Sequence, residues 1–183
     1  MTISVACITT PAAPVASSSS YAYRVLALTA VSVFLVSLDL SIVVVAKRSI
    51  ADDLGGGSLL TWVFSAYAIA YAAALLTAGR FADVFGRKRS FLRGVLWFSL
   101  GSVLCGVAPS AWFLVGARVV QAFGGAQLSP ASLALVLPEF PVEKRTQAIA
   151  IWGATGGIAA ALGPSIGGVL VDTLGWRSLF FVN

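Results

Sequence analysis

The sequence predicts an all-α fold, a polytopic bundle of transmembrane helices, and three observations support this class. Hydrophobic residues make up 58% of the 183 positions and charged residues only 10%, whereas a soluble domain carries about 25% charged residues. The apolar residues form long runs. The charged residues lie mostly in the short connections between these runs. Because a bilayer core contains no water, such runs must satisfy their backbone groups internally, as helices do.

The first 23 residues differ in composition from the rest of the chain. They are rich in small and polar residues and show no helical or strand period. Residues 1–23 are therefore predicted to form a disordered tail, and residues 24–183 the transmembrane bundle. The tail contains no Lys or Arg before Arg24, which argues against a secretory signal peptide.

Five apolar segments follow the tail, each close to the roughly 20 residues that a membrane-spanning helix requires. The predicted spans are residues 25–46, 59–78, 91–107, 111–137 and 146–171. Residues 176–183 are predicted to begin a sixth span. Between the first two spans, Asp52 and Asp53 precede three glycines at residues 55–57 and are predicted to lie in a solvated external turn.

The distribution of Lys and Arg indicates how the chain is oriented. Eight of the 12 basic residues fall in connections on the side of the N-terminus, and three fall on the other side. Because cytoplasmic loops carry an excess of Lys and Arg, the N-terminus is predicted to be cytoplasmic, with the chain in the cell membrane. The eight residues are Arg24, Arg80, Arg87, Lys88, Arg89, Arg93, Lys144 and Arg145, and the three are Lys47, Arg48 and Arg177.

The composition disfavours a nucleic-acid partner, a metal site and enzymatic chemistry. The net charge of +5 resides in short loops and forms no basic face, so it indicates membrane topology. The chain has no His, and Cys7 and Cys105 lack metal-ligand spacing. No glycine-rich phosphate-binding sequence occurs. We therefore predict no enzyme activity and no cofactor, and expect any work to be driven by an ion gradient.

Asp39 lies within the first predicted span. On insertion scales a central acid costs about 2.5–3.5 kcal/mol, and the 14 Val, Leu, Ile and Phe residues of this span favour insertion by roughly 4–8 kcal/mol. An acid inside a membrane indicates a proton-binding site. An interhelical hydrogen bond that only orients the spans is the alternative.

Arg118, in the fourth predicted span, is the natural partner of Asp39. Each residue lies seven positions from the outer end of its span. At 1.5 Å per residue both are therefore roughly 10 Å deep. Pairing would relieve two costly intramembrane charges at once, so we predict that the two side chains meet.

Residues 79–89 are predicted to form a tight cytoplasmic turn between the second and third spans. Gly79 and Gly86 would let two helices approach closely. Asp83 lies among basic residues and is best explained by a basic partner or by the positive end of another helix. A basic loop that only fixes topology, with an incidental acid, is the alternative.

This connection resembles the signature loop of the major facilitator superfamily. The resemblance implies a latch that holds the two halves of a transporter in the outward-facing state, with the aspartate meeting a helix of the second half. Phe81 and Val84 depart from the family pattern. The matching residues are Gly79, Asp83, Gly86, Arg87 and Lys88.

Two further segments resemble motifs of the fourteen-span drug:proton antiporters of that superfamily, in the expected order. Residues 38–46, which include Asp39, resemble the first-span motif. Residues 114–126, which include Arg118, resemble the fourth-span motif that is implicated in proton transfer. The departures from these motifs are Ser41, Val44, Lys47, Arg48 and Ala122.

The fifth predicted span carries glycines four residues apart. Gly163 and Gly167 fit the small-xxx-small spacing that allows close helix contact, and Pro164 interrupts the backbone hydrogen bonds and can bend the helix. Dimerisation is a generic alternative for such a face. Together with Gly168, these residues resemble the antiporter motif that is associated with exporters.

The resemblances cover about residues 30–183 and imply the N-terminal part of a major facilitator fold. They imply proton-coupled antiport that exports drugs or other hydrophobic or cationic small molecules, as in multidrug or antibiotic resistance. The implied partners are the lipid bilayer, a small-molecule substrate, protons and a missing C-terminal half. A non-transporting membrane remnant, one half of a split transporter and an uptake facilitator remain alternatives.

Overall fold

The computed structural model describes residues 19–55 and 57–183, and these form an all-helical bundle. No β-strand occurs over these residues, so the predicted fold class is confirmed. In chain order the helices are α1 (Ser19–Val45), α2 (Lys47–Leu54), α3 (Leu59–Phe85), α4 (Arg87–Gly106), α5 (Ala111–Val136), α6 (Val142–Leu174) and α7 (Ser178–Phe181), with a 3₁₀ turn at Leu137–Glu139 between α5 and α6.

Helix α5 lies at the centre of the bundle and packs against α1, α3 and α4. Its contact with α4 depends on glycine. A Cβ atom added to Gly101 would lie 2.5 Å from the Gln121 backbone, and one added to Gly124 would lie 2.2 Å from the backbone nitrogen of Phe98. The backbones of α4 and α5 can approach each other closely because Gly101 and Gly124 lack side chains.

The connections between helices lie at two ends of the bundle, which we name the basic end and the opposite end. The basic end holds the start of α1, the α3–α4 junction and residues 137–141, and the opposite end holds α2, residues 107–110 and residues 175–177. At the basic end, Ala22 and Leu26 of α1 pack against Val136 and Phe140. At the opposite end, Ile50 of α2 is buried in the main apolar cluster of the bundle.

Four of the five predicted spans lie in helices that are long and apolar enough to cross a membrane, namely α1, α3, α5 and α6. The third predicted span lies in α4, which has 20 residues and carries four basic residues in its first two turns. Helix α6 also begins with charged residues but has 33 residues in all, whereas the short α4 keeps few residues beyond its charges. Helix α4 nevertheless packs along α5 as a member of the bundle. The predicted start of a sixth span contains the four-residue α7.

Two segments differ from the prediction because they gain tertiary contacts. The predicted tail extends to residue 23, whereas α1 begins at Ser19, and residues 1–18 lie outside the described residues. Ala22 is buried, and the Tyr23 ring packs edge-on against Phe140 with 5.4 Å between centroids. The expected external turn around residues 52–53 is instead helix α2, which is held by the buried side chain of Ile50.

Candidate functional site

Asp39 of α1 and Arg118 of α5 are in direct contact in the interior of the bundle. The Arg118 Nη1 atom donates a hydrogen bond to Asp39 Oδ2 at 2.7 Å. Asp39 is 0% exposed and Arg118 is 1% exposed. The predicted contact is therefore present, and each charge offsets part of the cost of burying the other.

Gln121, one turn after Arg118 on α5, connects the two charges. Its Oε1 atom accepts from Arg118 Nη1 at 2.7 Å, and its Nε2 atom donates to Asp39 Oδ1 at 3.0 Å and to Ser102 Oγ at 2.7 Å. No role is predicted for Gln121 from the motif resemblance. The signal that could have identified it is its spacing of three residues from Arg118, which places the two side chains on one helix face.

Two aromatic rings enclose the Arg118 guanidinium. Its Cζ atom lies 4.0 Å from the ring centroid of Tyr67 on α3 and 5.9 Å from that of Phe180 on α7. The ring faces attract the cation, and both rings are almost completely buried. Three buried polar atoms have no hydrogen-bond partner among the described residues: Tyr67 Oη, Arg118 Nε and Asn183 Oδ1.

Asn183, which follows α7, also binds Asp39. Its Nδ2 atom donates to Asp39 Oδ1 at 2.9 Å. Leu179 and Phe180 are buried in the main apolar cluster and hold α7 against the bundle. The Asp39 carboxylate therefore accepts hydrogen bonds from three side chains, those of Arg118, Gln121 and Asn183.

This arrangement can link the binding of one proton to a change of shape. With Asp39 ionised, the carboxylate and the guanidinium form a pair that joins α1 to α5. A proton on Asp39 would remove that attraction and leave Arg118 buried without a counter-charge. Protonation would thus favour another arrangement of α1 and α5, although the proton-coupling role of Asp39 and Arg118 stays a prediction.

The connection between α3 and α4 is much shorter than predicted. Helix α3 continues to Phe85 and α4 begins at Arg87, so Gly86 alone separates them. Gly86 has a φ of 90°, a backbone conformation that other residues rarely adopt. A Cβ atom added to Gly79 would meet no described atom within 4 Å, so the close approach expected at Gly79 does not occur within the described chain.

The charged residues of this connection are exposed to the surroundings. Arg87 Nη1 donates to the backbone oxygen of Ala134 in α5 at 2.9 Å. Neither Asp83 nor Lys88 forms an ion pair within residues 19–55 and 57–183. The described chain holds no second half against which Asp83 could bind, and the latch role of these residues stays a prediction.

Helix α6 packs against α1 through glycines four residues apart. A Cβ atom added to Gly163 would lie 2.4 Å from Ser41 Cβ, and one added to Gly167 would lie 3.2 Å from Ile42 Cα. The small-residue face therefore contacts α1 within the chain. The two contacted residues lie two and three positions after Asp39 along α1.

The other two residues of the span-five motif do not take part in that contact. A Cβ atom added to Gly168 would have no described atom within 4 Å. Pro164 is exposed, and α6 continues through it from Val142 to Leu174. The helix-packing role predicted for the motif thus has a structural counterpart at Gly163 and Gly167.

Asp53 of α2 and Arg177 form an ion pair at the opposite end of the bundle. Asp53 Oδ2 accepts hydrogen bonds from Arg177 Nη1 and, at 3.0 Å, from Trp176 Nε1, while Arg177 Nη2 donates to the backbone oxygen of Ala108 at 3.2 Å. The bond from Arg177, and next that from Trp176, lower the pKa of Asp53 below its ordinary value of 3.8. The prediction of a solvated turn did not include this network.

We expect Asp53→Asn to lower the unfolding temperature of the chain slightly at pH 7 and to have less effect as the pH falls. A carboxylate whose pKa is lowered by folding stabilises the fold above its unfolded pKa, and the contribution is lost as the pH falls through the folded pKa. The effect is small because the pair is exposed. The stabilising contribution of Asp53 is therefore expected to be lost below about pH 4.

Melting curves followed by circular dichroism in detergent micelles between pH 7 and pH 2 would measure this effect. Asp52→Asn is the matched control, because Asp52 is exposed and forms no ion pair among the described residues. A difference between wild type and Asp53→Asn that stays constant down to pH 2 would contradict the prediction.

Comparison with known proteins assigns the chain to a family. The sequence profile of the Major Facilitator Superfamily matches residues 29–183. The chain is 43% identical over 157 residues to multidrug resistance protein Stp of Mycobacterium tuberculosis (strain CDC 1551 / Oshkosh), covering 85% of this chain and 29% of that protein. It is 39% identical over 155 residues to the tetracenomycin C resistance and export protein of Streptomyces glaucescens, covering 84% of this chain and 29% of that protein.

A solved structure shows the same fold. The crystal structure of a bacterial homologue of the human lysosomal transporter Spinster, in an inward-facing and unoccupied conformation, matches with a TM-score of 0.75 at 23% identity, over 90% of this chain and 37% of that one. The chain spans about 29% of the length of the two curated relatives. With four helices that could cross a membrane and a profile match over most of its length, this multi-pass membrane protein belongs to the major facilitator superfamily.

Proposed function

We propose that the chain is the N-terminal part of a proton-coupled antiporter that exports drugs or other hydrophobic or cationic small molecules. The observation that carries this proposal is the buried Asp39 carboxylate, which Arg118 and Gln121 bind inside an apolar bundle. Apolar residues of similar volume often stabilise a fold as well as a buried ion pair does. Stability alone therefore does not explain the pair, whereas a carboxylate that gains and loses a proton would give it a function.

The relatives support the substrate class, and the span-five contact supports the direction of transport. Stp is a multidrug resistance protein, and the Streptomyces glaucescens protein is a resistance and export protein for tetracenomycin C. Gly163 and Gly167, which resemble part of the antiporter motif, pack on α1 next to Asp39. The basic end would face the cytoplasm, and the proton gradient would supply the energy without a cofactor.

In the proposed cycle, a proton and a substrate use the site in turn. Proton binding to Asp39 from outside the cell weakens its pairing with Arg118 and favours the conformation that opens to the cytoplasm. Release of that proton to the cytoplasm restores the pair, and an approaching cationic substrate favours release because it stabilises the ionised carboxylate. A conformational change that follows protonation in this way alternates the side from which the site is reached.

A second candidate is a membrane protein that does not transport by itself, either a remnant or one half of a split transporter. The observation that favours it is the share of the relatives that the chain spans, about 29%. Transporters of this kind bind substrate at the interface of two structural repeats. A chain that holds one repeat would need a partner chain to complete that site.

We expect Asp39→Asn to reduce proton-driven efflux to the background of cells that lack the protein. Asn keeps the size of the side chain but cannot bind and release a proton near neutral pH. Cells that express the chain, alone and with any coding sequence that continues it, would be loaded with a fluorescent lipophilic cation. The rate of its loss would be measured with and without a proton uncoupler.

Asp52→Asn, which changes an exposed carboxylate on α2, is the matched control and should keep wild-type efflux. If the continued chain shows efflux and the 183-residue chain does not, the 183-residue chain is one part of a transporter. No efflux from either form would favour the remnant. Uncoupler-sensitive efflux at the wild-type rate in Asp39→Asn would rule out the proposed function.

A further inference from the structure

Two amide side chains share one oxygen of the Asp39 carboxylate. Gln121 Nε2 donates to Oδ1 at 3.0 Å and Asn183 Nδ2 donates to the same atom at 2.9 Å, whereas Arg118 donates to Oδ2. Gln121 and Arg118 lie on α5 and move together. Asn183 lies 144 positions after Asp39 and is carried by the separate segment that follows α7.

The two amides differ in how completely they are bonded. Gln121 uses both ends, because Oε1 accepts from Arg118 and Nε2 donates to Asp39 and Ser102, and its orientation is therefore fixed. Asn183 uses only its donor. Its Oδ1 atom is buried and has no hydrogen-bond partner within the described chain. An unpaired buried carbonyl costs stability, and this one belongs to an amide that already contacts a carboxyl group able to bind a proton.

We propose that Asn183 is a positioning residue for Asp39, which holds the carboxyl group in place in both its ionised and its protonated form. With Asp39 ionised, the Asn183 amide donates to Oδ1, as observed. When a proton binds to Asp39 Oδ1, rotation of the amide places Asn183 Oδ1 where it accepts a hydrogen bond from the new O–H group. A primary amide can serve both forms because it carries a donor and an acceptor. The inference rests on the proposed function of Asp39.

A small cavity lies beside Asn183, on the side of Asp39 that faces the basic end. It has a volume of about 60 Å³ and is lined by Asn183, the hydroxyl-bearing Ser32 and Ser99, and four apolar side chains. This volume accommodates about two water molecules at roughly 30 Å³ each. Ser32 precedes Asp39 by seven residues on α1, so this lining residue lies roughly 10 Å towards the basic end. Asn183 thus contacts Asp39 and also lines a cavity that extends towards the side to which the proposed cycle releases the proton.

Few ionisable groups surround Asp39, which simplifies a test. Arg118 of α5 pairs with it, and Tyr67 of α3 and Cys105 of α4 contact Arg118 and Gln121. Helix α6 and the segment after α7 bring no ionisable side chain to this cluster within the described chain. A change at Asn183 therefore acts on Asp39 without removing a charge.

Carbodiimide labelling would test the proposal, since dicyclohexylcarbodiimide reacts with protonated carboxyl groups in apolar surroundings. The chain would be purified in detergent with a C-terminal affinity tag, so that Asn183 is not the terminal residue. It would be labelled over a pH series, and mass spectrometry would quantify the modified Asp39 peptide. We expect Asn183→Leu to move the labelling midpoint up, because the bond that the amide donates to the ionised carboxylate is charge-assisted and stronger than the bond that it would accept from the protonated group.

Asn183→Asp keeps the size of the side chain and places a second carboxyl group beside Asp39. It should move the midpoint further up, because the two carboxylates repel each other, and it keeps the proposal testable if Asn183→Leu does not fold. Gln127→Leu is the matched control. It makes the same amide-to-apolar change in a groove lined by Trp97, Val120 and Phe123, and it should leave the midpoint unchanged.

A wild-type midpoint in both Asn183 variants, or an equal shift in Gln127→Leu, would overturn the positioning role. This outcome is separable from failure of the proposed function, because labelling requires no transport. Efflux retained by Asp39→Asn would refute the proposed function. Unshifted labelling in the Asn183 variants, together with efflux lost in Asp39→Asn, would refute only the role of Asn183.

Discussion

Arg118→Met is expected to destabilise the bundle by about 3–5 kcal/mol, because it removes one partner of a buried ion pair. Asp39 would remain fully buried, with Gln121 and Asn183 as its donors and no counter-charge. The substitution also removes the cation that lies 4.0 Å from the Tyr67 ring centroid. Met fills much of the space of the Arg side chain, so the loss reports on charge and hydrogen bonding more than on a cavity.

The double variant Asp39→Leu with Arg118→Met should recover most of that stability, because it removes both charges. Titration with sodium dodecyl sulfate in mixed micelles, followed by circular dichroism, would measure the free energy of unfolding of each variant. Equal stability of Arg118→Met and wild type would contradict the importance of the pair. A double variant no more stable than Arg118→Met would show that the two charges do not act together.

Gly163→Ala is expected to destabilise the contact between α1 and α6 by about 1–3 kcal/mol, although Ala is the better helix former. Its Cβ atom would lie 2.4 Å from Ser41 Cβ, so one of the two helices must move. Gly168→Ala is the matched control, since a Cβ atom there meets no described atom within 4 Å. That change should stabilise the helix by up to about 1 kcal/mol.

The same unfolding titration would compare the two glycine variants. Adding Ser41→Gly to Gly163→Ala removes the atom against which the new methyl group clashes, and a double-mutant cycle should show favourable coupling between the two positions. Gly163→Ala and Gly168→Ala of equal stability would contradict the close contact seen at Gly163.

The sequence predicts the spans well and the ends of the helices less well. Hydropathy locates the apolar part of a helix, and α5 differs from its predicted span by one residue. Helix α3, however, extends seven residues beyond its predicted end, through Arg80 and Asp83. Charged residues such as Arg are good helix formers, so the helix continues after the apolar run stops. Helix α2 is polar, and its placement depends on the burial of Ile50. Nothing in the neighbouring sequence predicts that burial.

Some residues of the candidate site can likewise be recognised from the sequence, and others cannot. Asp39 and Arg118 are recognisable because charges inside apolar runs are costly, and their equal depth predicts their contact. Gln121 could have been found from its helical spacing to Arg118. Asn183 and Tyr67 could not, because their contacts with the pair depend on how α7 and α3 pack in three dimensions.

Proton movement on addition of substrate tests the coupling role of Asp39 most directly. Inverted membrane vesicles with an acidified interior would contain the chain, alone and with any coding sequence that continues it, and a fluorescent amine would report the internal pH. Addition of a lipophilic cation should release protons from vesicles with wild-type protein and from those with Asp52→Asn, but not from those with Asp39→Asn. Equal proton release with Asp39→Asn, or none from either form of the wild type, would contradict proton-coupled export through this site.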